Sequence, residues 1–350
     1  MYKESEKIAA QAGMFANRLQ KRFRHLKKWA QRTEAGVFRL YDRDIPEIPL
    51  VLDFYGGCGN LREAALAGAL YKRPYEKDED DEEIWLCAMK ESASGALGIG
   101  RERIFFKQRE KQKGTSQYEK LGNARFTKII GEKGLSFKVN LSDYLDCGLF
   151  ADRRLLREMI RSEARCKTVL NLFSYTGAFS VYAAAGGAVS TDSIDLSNTY
   201  LNWARENFSL NGFSASVFPR MEDFFKENDN QSEKQLNRLI RADVIPFIEK
   251  AALKGLKRDI IIIDPPAFSN SKKMTGSFDL QRDLMELLSR CLRLLSDDGK
   301  IFISVNTRRC AITADETENK LGLRVTDITG KVTDEDFRGK KTPRSFMIYR

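Results

Sequence analysis

The sequence is poor in the residues that build metal centres and histidine-dependent active sites. His25 is its one histidine, and no two of its six cysteines lie at the short spacing typical of zinc ligands. The cysteines are spread along the chain as Cys58, Cys87, Cys147, Cys166, Cys291 and Cys310. These counts argue against a structural zinc and a histidine-based catalytic triad, so we predict no metal. Dispersed cysteines fit a reduced cytoplasm, and we expect all six to be small, buried apolar side chains.

Long apolar runs are missing as well. A run such as Ile260 to Ile263 is flanked by Asp259 and Asp264, and it falls far short of the roughly 20 residues that a membrane span requires. The first residues, Met1 to Lys7, contain no apolar core of a signal peptide. We therefore expect no membrane-spanning segment and a cytoplasmic location.

Positive charge, in contrast, is in excess. The 350 residues include 59 Lys and Arg against 49 Asp and Glu, a formal net charge of +10. A hydrophobic fraction of 42% is enough for a packed core, and the length allows two domains. Two basic stretches, Lys3 to Arg32 and Arg101 to Lys138, lie in the first half. They favour a partner with a phosphate backbone.

The two basic stretches predict different structures. Apolar residues recur at helical spacing in the first, as Ile8, Phe15, Leu19, Phe23 and Leu26. This pattern predicts an amphipathic helix with a basic face. The centre of the second stretch, Lys107 to Tyr118, is polar and contains a glycine, which predicts a loop or turn between strands.

From about residue 150, short β-type runs alternate with helical segments. The predicted strands are Thr168–Phe173, Val189–Ile194, Arg238–Ala242, Ile260–Ile263 and Lys300–Val305. The predicted helices between them are Ala178–Ala185, Asn198–Phe208, Val244–Ala252 and Leu280–Leu295. Leu323–Ile328 and Ser345–Tyr349 follow as two late strands, the last one antiparallel. This order is typical of a mostly parallel, doubly wound α/β sheet whose ligand site lies at the carboxyl ends of the strands.

Polar residues follow the predicted strands. The turn after the first strand, Asn171 to Ser180, contains only Gly177, so it lacks the three-glycine fingerprint and disfavours a nicotinamide-dependent dehydrogenase. A cofactor of nucleoside size fits better. Asp195 ends the second strand, where it can accept the ribose hydroxyls, and Asp243 ends the third, where it can accept the adenine amine. Either acid can instead cap the following helix.

The most specific signal is Asp264-Pro-Pro-Ala-Phe268, after the fourth strand. Two prolines remove backbone donors and fix the turn, which directs carbonyl groups and the Asp264 carboxylate into the cleft. Phe268 can then stack on a flat ring. Methyltransferases that act on nitrogen or carbon atoms of nucleobases share this pattern. The alternative is a structural turn with a packed phenylalanine.

Together, these stretches resemble the class I S-adenosylmethionine-dependent methyltransferases of 23S rRNA, most closely the guanine-N7-methylating domain of the bifunctional large-subunit K/L family. The segments that carry the resemblance are Met14–Leu19, Arg109–Gly114, Asn140–Arg154, Asn171–Phe179, Ser193–Phe208 and Asp264–Lys272. Two features depart from that family. The partner half of the bifunctional enzyme is absent, so we expect a free-standing version, and residues 217–236 look like an insertion.

The resemblance implies a Rossmann-like class I methyltransferase sheet in residues 146–350 and a smaller N-terminal α+β RNA-binding domain in residues 1–145. It implies S-adenosylmethionine as cofactor and 23S rRNA or a large-subunit precursor as partner. The implied cofactor-binding residues are Phe150, Asp152, Arg154, Phe173, Ser174, Tyr175, Thr176, Gly177, Asp195, Leu196, Asp243 and Asp264. The implied catalytic residues are Asp264, Pro265 and Phe268. Contacts to the RNA backbone are expected from Arg18, Lys21, Arg22, Lys107, Arg109, Lys111 and Lys113.

The zwitterionic methionine end of the cofactor needs an acid and a base nearby, which Asp152 and Arg154 would supply. In the alternative interpretation, Arg154 simply pairs with Asp152.

The implied reaction is methyl transfer to N7 of a guanine, whose in-plane lone pair needs neither a general base nor a protein nucleophile. Catalysis would come mainly from positioning. The nearest alternative is cytosine-C5 methylation, which needs a cysteine thiolate, usually at the end of the fifth strand. That position reads Ser304-Val-Asn-Thr307, and Cys310 comes later. The alternative of another class is a non-catalytic RNA-binding ribosome-assembly factor.

Overall fold

In the computed structural model, the described residues are 2–57, 59, 61–75, 77–109, 125–227, 236–266, 268–269, 278–307 and 321–350. They form two compact units. The first unit comprises Met1–Ala151 and Glu335–Lys340, and the second comprises Asp152–Asp334 and Lys341–Arg350. The sequence-based division lay between residues 145 and 146, whereas the second unit begins at Asp152, and a short late segment returns to the first.

The first unit combines helices with an antiparallel-rich sheet. Its helices are α1 (Tyr2–Thr33) and α2 (Glu79–Leu97), and its strands are β1 (Val37–Asp42), β2 (Leu50–Tyr55), β3 (Ala65–Tyr71), β4 (Ile104–Arg109), β5 (Thr127–Glu132) and β6 (Leu135–Asn140). Strands β1 to β4 form one sheet in chain order, and β5 pairs with β6. The apolar side of α1 is buried through Phe15, Leu19, Phe23 and Leu26, which confirms the predicted amphipathic helix.

The second unit alternates strands and helices. Its helices are α3 (Arg154–Glu163), α4 (Ala178–Ala185), α5 (Asn198–Leu210), α6 (Met221–Glu227), α7 (Val244–Leu253) and α8 (Leu280–Leu292), followed by a short helix, Thr329–Val332. Its strands are β7 (Thr168–Leu172), β8 (Ser190–Asp195), β9 (Ser216–Phe218), β10 (Leu236–Arg241), β11 (Arg258–Ile263), β12 (Phe268–Ser269), β13 (Phe278–Asp279), β14 (Leu295–Val305), β15 (Arg324–Asp327) and β16 (Arg344–Tyr349). The predicted strands and helices are confirmed, with shifts of a few residues at their ends.

The large sheet has the order β15-β16-β14-β11-β7-β8-β10-β9. All its pairs are parallel except those of β16, which is antiparallel to both β14 and β15. The predicted antiparallel last strand is therefore confirmed, although β15 rather than β16 forms the edge. The chain runs from β7 outward to one side and then returns to β11, so the crevice at the carboxyl ends of β7 and β11 is the topological switch point.

Both faces of this sheet are covered, which explains the nearly continuous apolar run of β11. Ile261 and Ile263 belong to a core with residues of α7 and α8, and Ile260 and Ile262 belong to one with residues of α3 and α4. Strands buried on both faces lose the alternation of polar and apolar residues. The predicted insertion at 217–236 contains the end of β9 and all of α6; residues 228–235 lie outside the described residues.

The cysteine prediction is only partly right. Cys291 is buried in α8, but Cys87 and Cys166 are exposed. Cys87 lies on the solvent side of α2, and Cys166 lies in a turn with φ of +58°, so neither faces a core. Cys58 and Cys310 lie outside the described residues. In the described part of the chain, no helix is long and apolar enough to cross a bilayer, and no three His, Cys, Asp or Glu side chains form a group suited to a metal ion.

Candidate active site

The turn after β7, Phe173 to Gly177, has an unusual backbone conformation. The angle φ is +58° at Phe173, +49° at Tyr175 and +71° at Gly177. A side chain at positive φ costs on the order of 1–3 kcal/mol, and residues of this kind cluster at ligand sites. Two strained residues in one five-residue turn therefore mark the carboxyl end of β7 as a candidate site.

Neighbouring elements hold this turn in place. The Ser174 amide donates to the carbonyl of Ile194 in β8 at 2.9 Å. The side-chain amide of Asn207, buried in α5, donates to the Thr176 carbonyl at 2.9 Å. Because these partners lie in regular secondary structure, the turn is preset before any ligand binds.

Asp195 lies at the end of β8, beside this turn. Its Oδ2 accepts from the Tyr175 amide at 2.9 Å, and its Oδ1 accepts from the Ser197 amide at 2.8 Å. Burial raises the pKa of Asp195 to about 6, against the lowering effect of these backbone donors. Ser197, not Asp195, caps α5, since its hydroxyl accepts from the Tyr200 amide at 3.3 Å. Each carboxylate oxygen keeps a lone pair for a hydroxyl donor.

Gly177 is required where the turn enters α4. A Cβ at this position would lie 2.8 Å from the Cβ of Ala204 in α5, and the φ of +71° also disfavours a side chain. Close packing of α4 on α5 and the left-handed turn therefore depend on the same glycine.

We expect Gly177→Ala to lower the free energy of unfolding by about 2–4 kcal/mol, from left-handed strain of ~1–2 kcal/mol and overpacking of ~1–3 kcal/mol. Gly212→Ala is the matched control, because Gly212 has φ of +76° but nothing within 4 Å of its added Cβ. It should show the strain alone. Urea unfolding of both variants measures the difference, and equal losses would contradict the packing argument.

Asp264 follows β11, on the other side of the switch point. Its carboxylate receives a bidentate contact from Arg153, with Nε to Oδ2 at 3.2 Å and Nη2 to Oδ1 at 3.0 Å. The same guanidinium donates through Nη1 to Asp152 Oδ2 at 2.7 Å. The Arg153 side chain is only 9% exposed. Two acids and one base therefore form a triad with a net charge of −1.

Arg153 is the site residue that sequence reasoning missed. Arg154, which was predicted instead, is fully buried, and its Nη1 donates to Asp334 at 2.8 Å. The guanidinium that pairs with Asp152 thus comes from Arg153. The two arginines are adjacent, and only the start of α3 determines which one points toward Asp264.

Comparisons with known proteins agree with this geometry. The model of a family described as S-adenosylmethionine-dependent methyltransferase matches residues 61–320. The chain belongs to the S-adenosylmethionine-dependent methyltransferases. Its cofactor is therefore S-adenosylmethionine, and the Rossmann-like methyltransferase fold predicted for the second half is confirmed.

Individual relatives of this methyltransferase family are similar along nearly the whole chain. Ribosomal RNA large subunit methyltransferase K of Neisseria meningitidis serogroup B is 41% identical, over 95% of this chain and 86% of that protein. Ribosomal RNA large subunit methyltransferase K/L of Stutzerimonas stutzeri is 42% identical, over 99% of this chain but only 43% of that protein. A structure from Streptococcus mutans, assigned to the SAM-dependent methyltransferases, superimposes with a TM-score of 0.68 at 23% identity, over 96% of this chain and 81% of that one. It shows the fold.

The methyltransferase cofactor fits polar atoms that the second unit leaves unused. Asp152 Oδ1 and Ser174 Oγ are buried and have no hydrogen-bond partner among the described residues. An acceptor and a hydroxyl are what the ammonium and carboxylate of a methionine moiety need. Together with the lone pairs of Asp195, they supply polar groups for both ends of S-adenosylmethionine.

The remaining predicted site residues have these positions. Asp243 caps α7, with Oδ1 accepting from the Ile245 amide at 3.4 Å, so its adenine contact stays a prediction. Leu196 is half-buried after β8, and Pro265 is buried after β11. Phe150 is 37% exposed and belongs to the first unit. The side chain of Phe268 lies outside the described residues.

Two of the arginines predicted to bind RNA are engaged within the first unit. Arg18 Nε donates to Asp44 at 2.6 Å, and Arg22 Nη2 donates to the Asp336 carbonyl at 3.2 Å. Burial lowers the pKa of Arg22. Lys21, between them, points away from the core and is exposed.

Lys107 is corrected more strongly. It lies in β4 rather than in a loop, is 8% exposed, and donates to the Tyr144 carbonyl and, at 3.4 Å, to the Cys147 thiol. An ammonium held in this way is not available to RNA. Lys111 and Lys113 lie outside the described residues, as does the side chain of Arg109, so their RNA contacts stay predictions.

Proposed function

We propose that the chain transfers a methyl group from S-adenosylmethionine to N7 of a guanine in 23S rRNA. The relatives' names support a large-subunit rRNA substrate, because the chain covers 86% of the Neisseria protein. The observation that carries the proposal is the Asp264 carboxylate, fixed by Arg153 at the switch point. The described part of the second unit places no cysteine or histidine beside it: Cys291 is buried in the α8 core, and Cys166 precedes β7.

S-adenosylmethionine supplies a methyl group on a sulfonium, which is electrophilic without further activation. Guanine N7 carries an in-plane lone pair, so no residue has to remove a proton from the target. Asp264 and the Pro265 carbonyl orient the guanine edge, and Phe268 stacks on the base. The chain therefore acts mainly by positioning. This agrees with the location of its one histidine, His25, whose Nε2 lies 3.1 Å from Glu335 in the first unit.

The target guanine must leave any duplex before transfer. In A-form RNA, N7 faces a major groove that is too deep and narrow for side chains. A base that is unpaired or flipped out exposes this edge at a modest cost in stacking energy. We therefore expect the substrate site to be a loop, a bulge or an opened helix.

Transfer of labelled methyl groups to protein-free rRNA tests the proposal. The chain, cofactor labelled on the methyl group, and 23S or 16S rRNA are incubated, and the digested nucleosides are separated by mass spectrometry. We expect 7-methylguanosine from 23S rRNA alone. Label in 5-methylcytidine would contradict the N7 assignment. Cofactor binding without transfer to free rRNA or precursor particles would favour a non-catalytic assembly factor.

The C5 alternative has its own test. The end of β14 contains Ser304 and Val305, followed by Asn306 and Thr307, with no cysteine. Cys310 is therefore the remaining candidate nucleophile, and it lies outside the described residues. We expect Cys310→Ser to keep at least half of the wild-type turnover. Loss of transfer with unchanged cofactor affinity would establish C5 chemistry.

The exposed side of α1 is the surface that supports RNA binding. From Lys7 to Thr33 the chain contains no Asp or Glu. Its exposed cations lie toward the carboxyl end of α1 as Lys21, Arg24, Lys27, Lys28 and Arg32. No carboxylate of the described residues forms a recorded salt bridge with them, unlike Arg18 and Arg22 further inward. A solvated helix normally mixes both signs at i,i+4 spacing, so an all-basic side is suited to an external polyanion.

We expect the triple variant Lys21→Gln, Arg24→Gln, Lys28→Gln to weaken RNA binding and to flatten its salt dependence by about 2 in the log–log slope, since each lost phosphate contact on single strands accounts for ~0.7. Lys226, Lys254 and Lys331, exposed on the second unit, give a control triple variant with the same loss of charge. Filter binding between 50 and 300 mM salt measures both slopes. Equal slopes for the two variants would exclude α1 as the RNA surface.

A further inference from the structure

We infer that Arg153 is a positioning residue for methyl transfer, acting through Asp152 and Asp264 rather than on the substrate itself. The inference rests on the proposed function for the identity of the target atom, but not for the role of Arg153 in cofactor binding. It begins from geometry: one guanidinium uses Nη1 for Asp152 and both Nε and Nη2 for Asp264. The two acids come from distant parts of the chain, the turn before α3 and the turn after β11.

The contacts of the guanidinium determine which oxygens remain available. Asp152 uses Oδ2 for Arg153, while its buried Oδ1 has no partner among the described residues. That oxygen is the acceptor that suits the cofactor ammonium. Both Asp264 oxygens contact Arg153, so this carboxylate has a fixed plane from which its second lone pairs can meet a base edge. A planar fork fixes a carboxylate plane in a way that a lysine ammonium cannot.

Charge balance points the same way. The three side chains carry −1 in total, and S-adenosylmethionine carries +1 from its sulfonium, ammonium and carboxylate. The thioether product is neutral overall. A site with a small net negative charge therefore favours the reactive cofactor over its product, whereas the two carboxylates without Arg153 would repel one another and one of them would take up a proton. The other charges at this place belong to Arg154 and Asp334, which form their own pair.

The test uses the full chain with Arg153→Gln, Arg153→Lys and Asp264→Asn, and the double variant Arg153→Gln/Asp264→Asn. We expect Arg153→Gln to lower kcat on the order of 100-fold, as misplacement by about 1 Å does, and to weaken cofactor binding about tenfold. The acidic limb of its pH–rate profile should move up by about one unit, and Arg153→Lys should restore the limb but not the full kcat. Arg220→Gln removes an exposed guanidinium paired with Asp223 on the same unit and should leave kcat unchanged.

The double variant separates positioning from an independent contribution. If Arg153 acts on transfer through Asp264, the double variant has the kcat of Asp264→Asn, because residues of one unit are not additive. Multiplicative losses, or a kcat of Arg153→Gln within threefold of wild type, would overturn the inference. Circular dichroism and urea unfolding identify a variant that fails to fold, and Arg153→Lys then carries the kcat and pH readouts.

Failure of this inference is distinguishable from failure of the proposed function. Cofactor binding is measured by calorimetry without RNA, so it reports on Arg153 whatever the target. If the wild type methylates another atom, the same kcat comparison holds for that product. If Arg153→Gln binds the cofactor as the wild type does, the role assigned to Arg153 at Asp152 is refuted even when 7-methylguanosine is formed.

Discussion

Asp264→Asn should lower kcat for methyl transfer by about 100- to 1,000-fold, the usual loss for a group that orients or stabilises a transition state. Its dissociation constant for S-adenosylmethionine should change by less than about threefold, since the cofactor's polar ends are assigned to other groups. Single-turnover methylation of rRNA and calorimetry of cofactor binding measure the two quantities separately. Turnover near that of the wild type would refute a catalytic role for Asp264.

Asparagine is the suitable replacement because of the Arg153 contact. Alanine would leave a buried guanidinium with only Asp152, and removal of one partner from a buried ion pair costs about 3–5 kcal/mol of stability. The asparagine oxygen can still accept from Arg153, so the loss of folding free energy is smaller. Asp223→Asn, which breaks the exposed pair with Arg220, is the matched control and should leave kcat unchanged.

The sheet of the second unit was predictable because its strands are short apolar runs between helical segments. Ile260 to Ile263 and the segment around Asn171 needed no tertiary information, since burial on both faces of a parallel sheet itself produces such runs. The acids at the strand ends were predictable for the same reason: Asp195 and Asp264 directly follow strands whose carboxyl ends meet at one edge.

Contacts between distant segments were not predictable. Arg153 and Arg154 are neighbours, and a helical rotation of about 100° per residue sends one toward Asp264 and the other toward Asp334. Lys107 belongs to a basic run that resembles a loop, but it lies in β4, where alternation turns its side chain inward. Composition reports how many cations a segment has, and only the fold determines which of them meet a carboxylate of the same unit.

The same limit applies to the first unit. Glu335–Lys340 joins it from the far end of the chain, and this segment supplies the Asp336 carbonyl that engages Arg22. Arg18 meets Asp44, which is nearer in sequence but lies beyond β1. The arginines named from the sequence are thus partly internal, and the cations left exposed on α1 become the better candidates for RNA.

Asp195→Asn should weaken S-adenosylmethionine binding by about 100-fold, because two hydroxyl donors to a carboxylate are each worth ~1.5–3 kcal/mol and a neutral amide recovers part of this. The backbone donors of Tyr175 and Ser197 hold the carboxylate in place, and the amide would have to turn one NH₂ group toward a donor. Calorimetry at pH 7.5 measures the loss. Ser209→Ala, at a position on the exposed part of α5, is the control and should bind the cofactor as the wild type does.

The pH dependence of binding distinguishes the carboxylate from a general loss of structure. Burial raises the pKa of Asp195 to about 6 in the free protein, so the group is ionised at pH 7.5 and protonated at pH 5. Ribose hydroxyls donate to the ionised form and lower its pKa in the complex, so binding below pH 6 releases a proton. Affinity should therefore fall by up to about tenfold per pH unit between 6 and 5 in the wild type. Asp195→Asn has no such proton to release; if its affinity falls as steeply over the same range, Asp195 is not the group that holds the ribose.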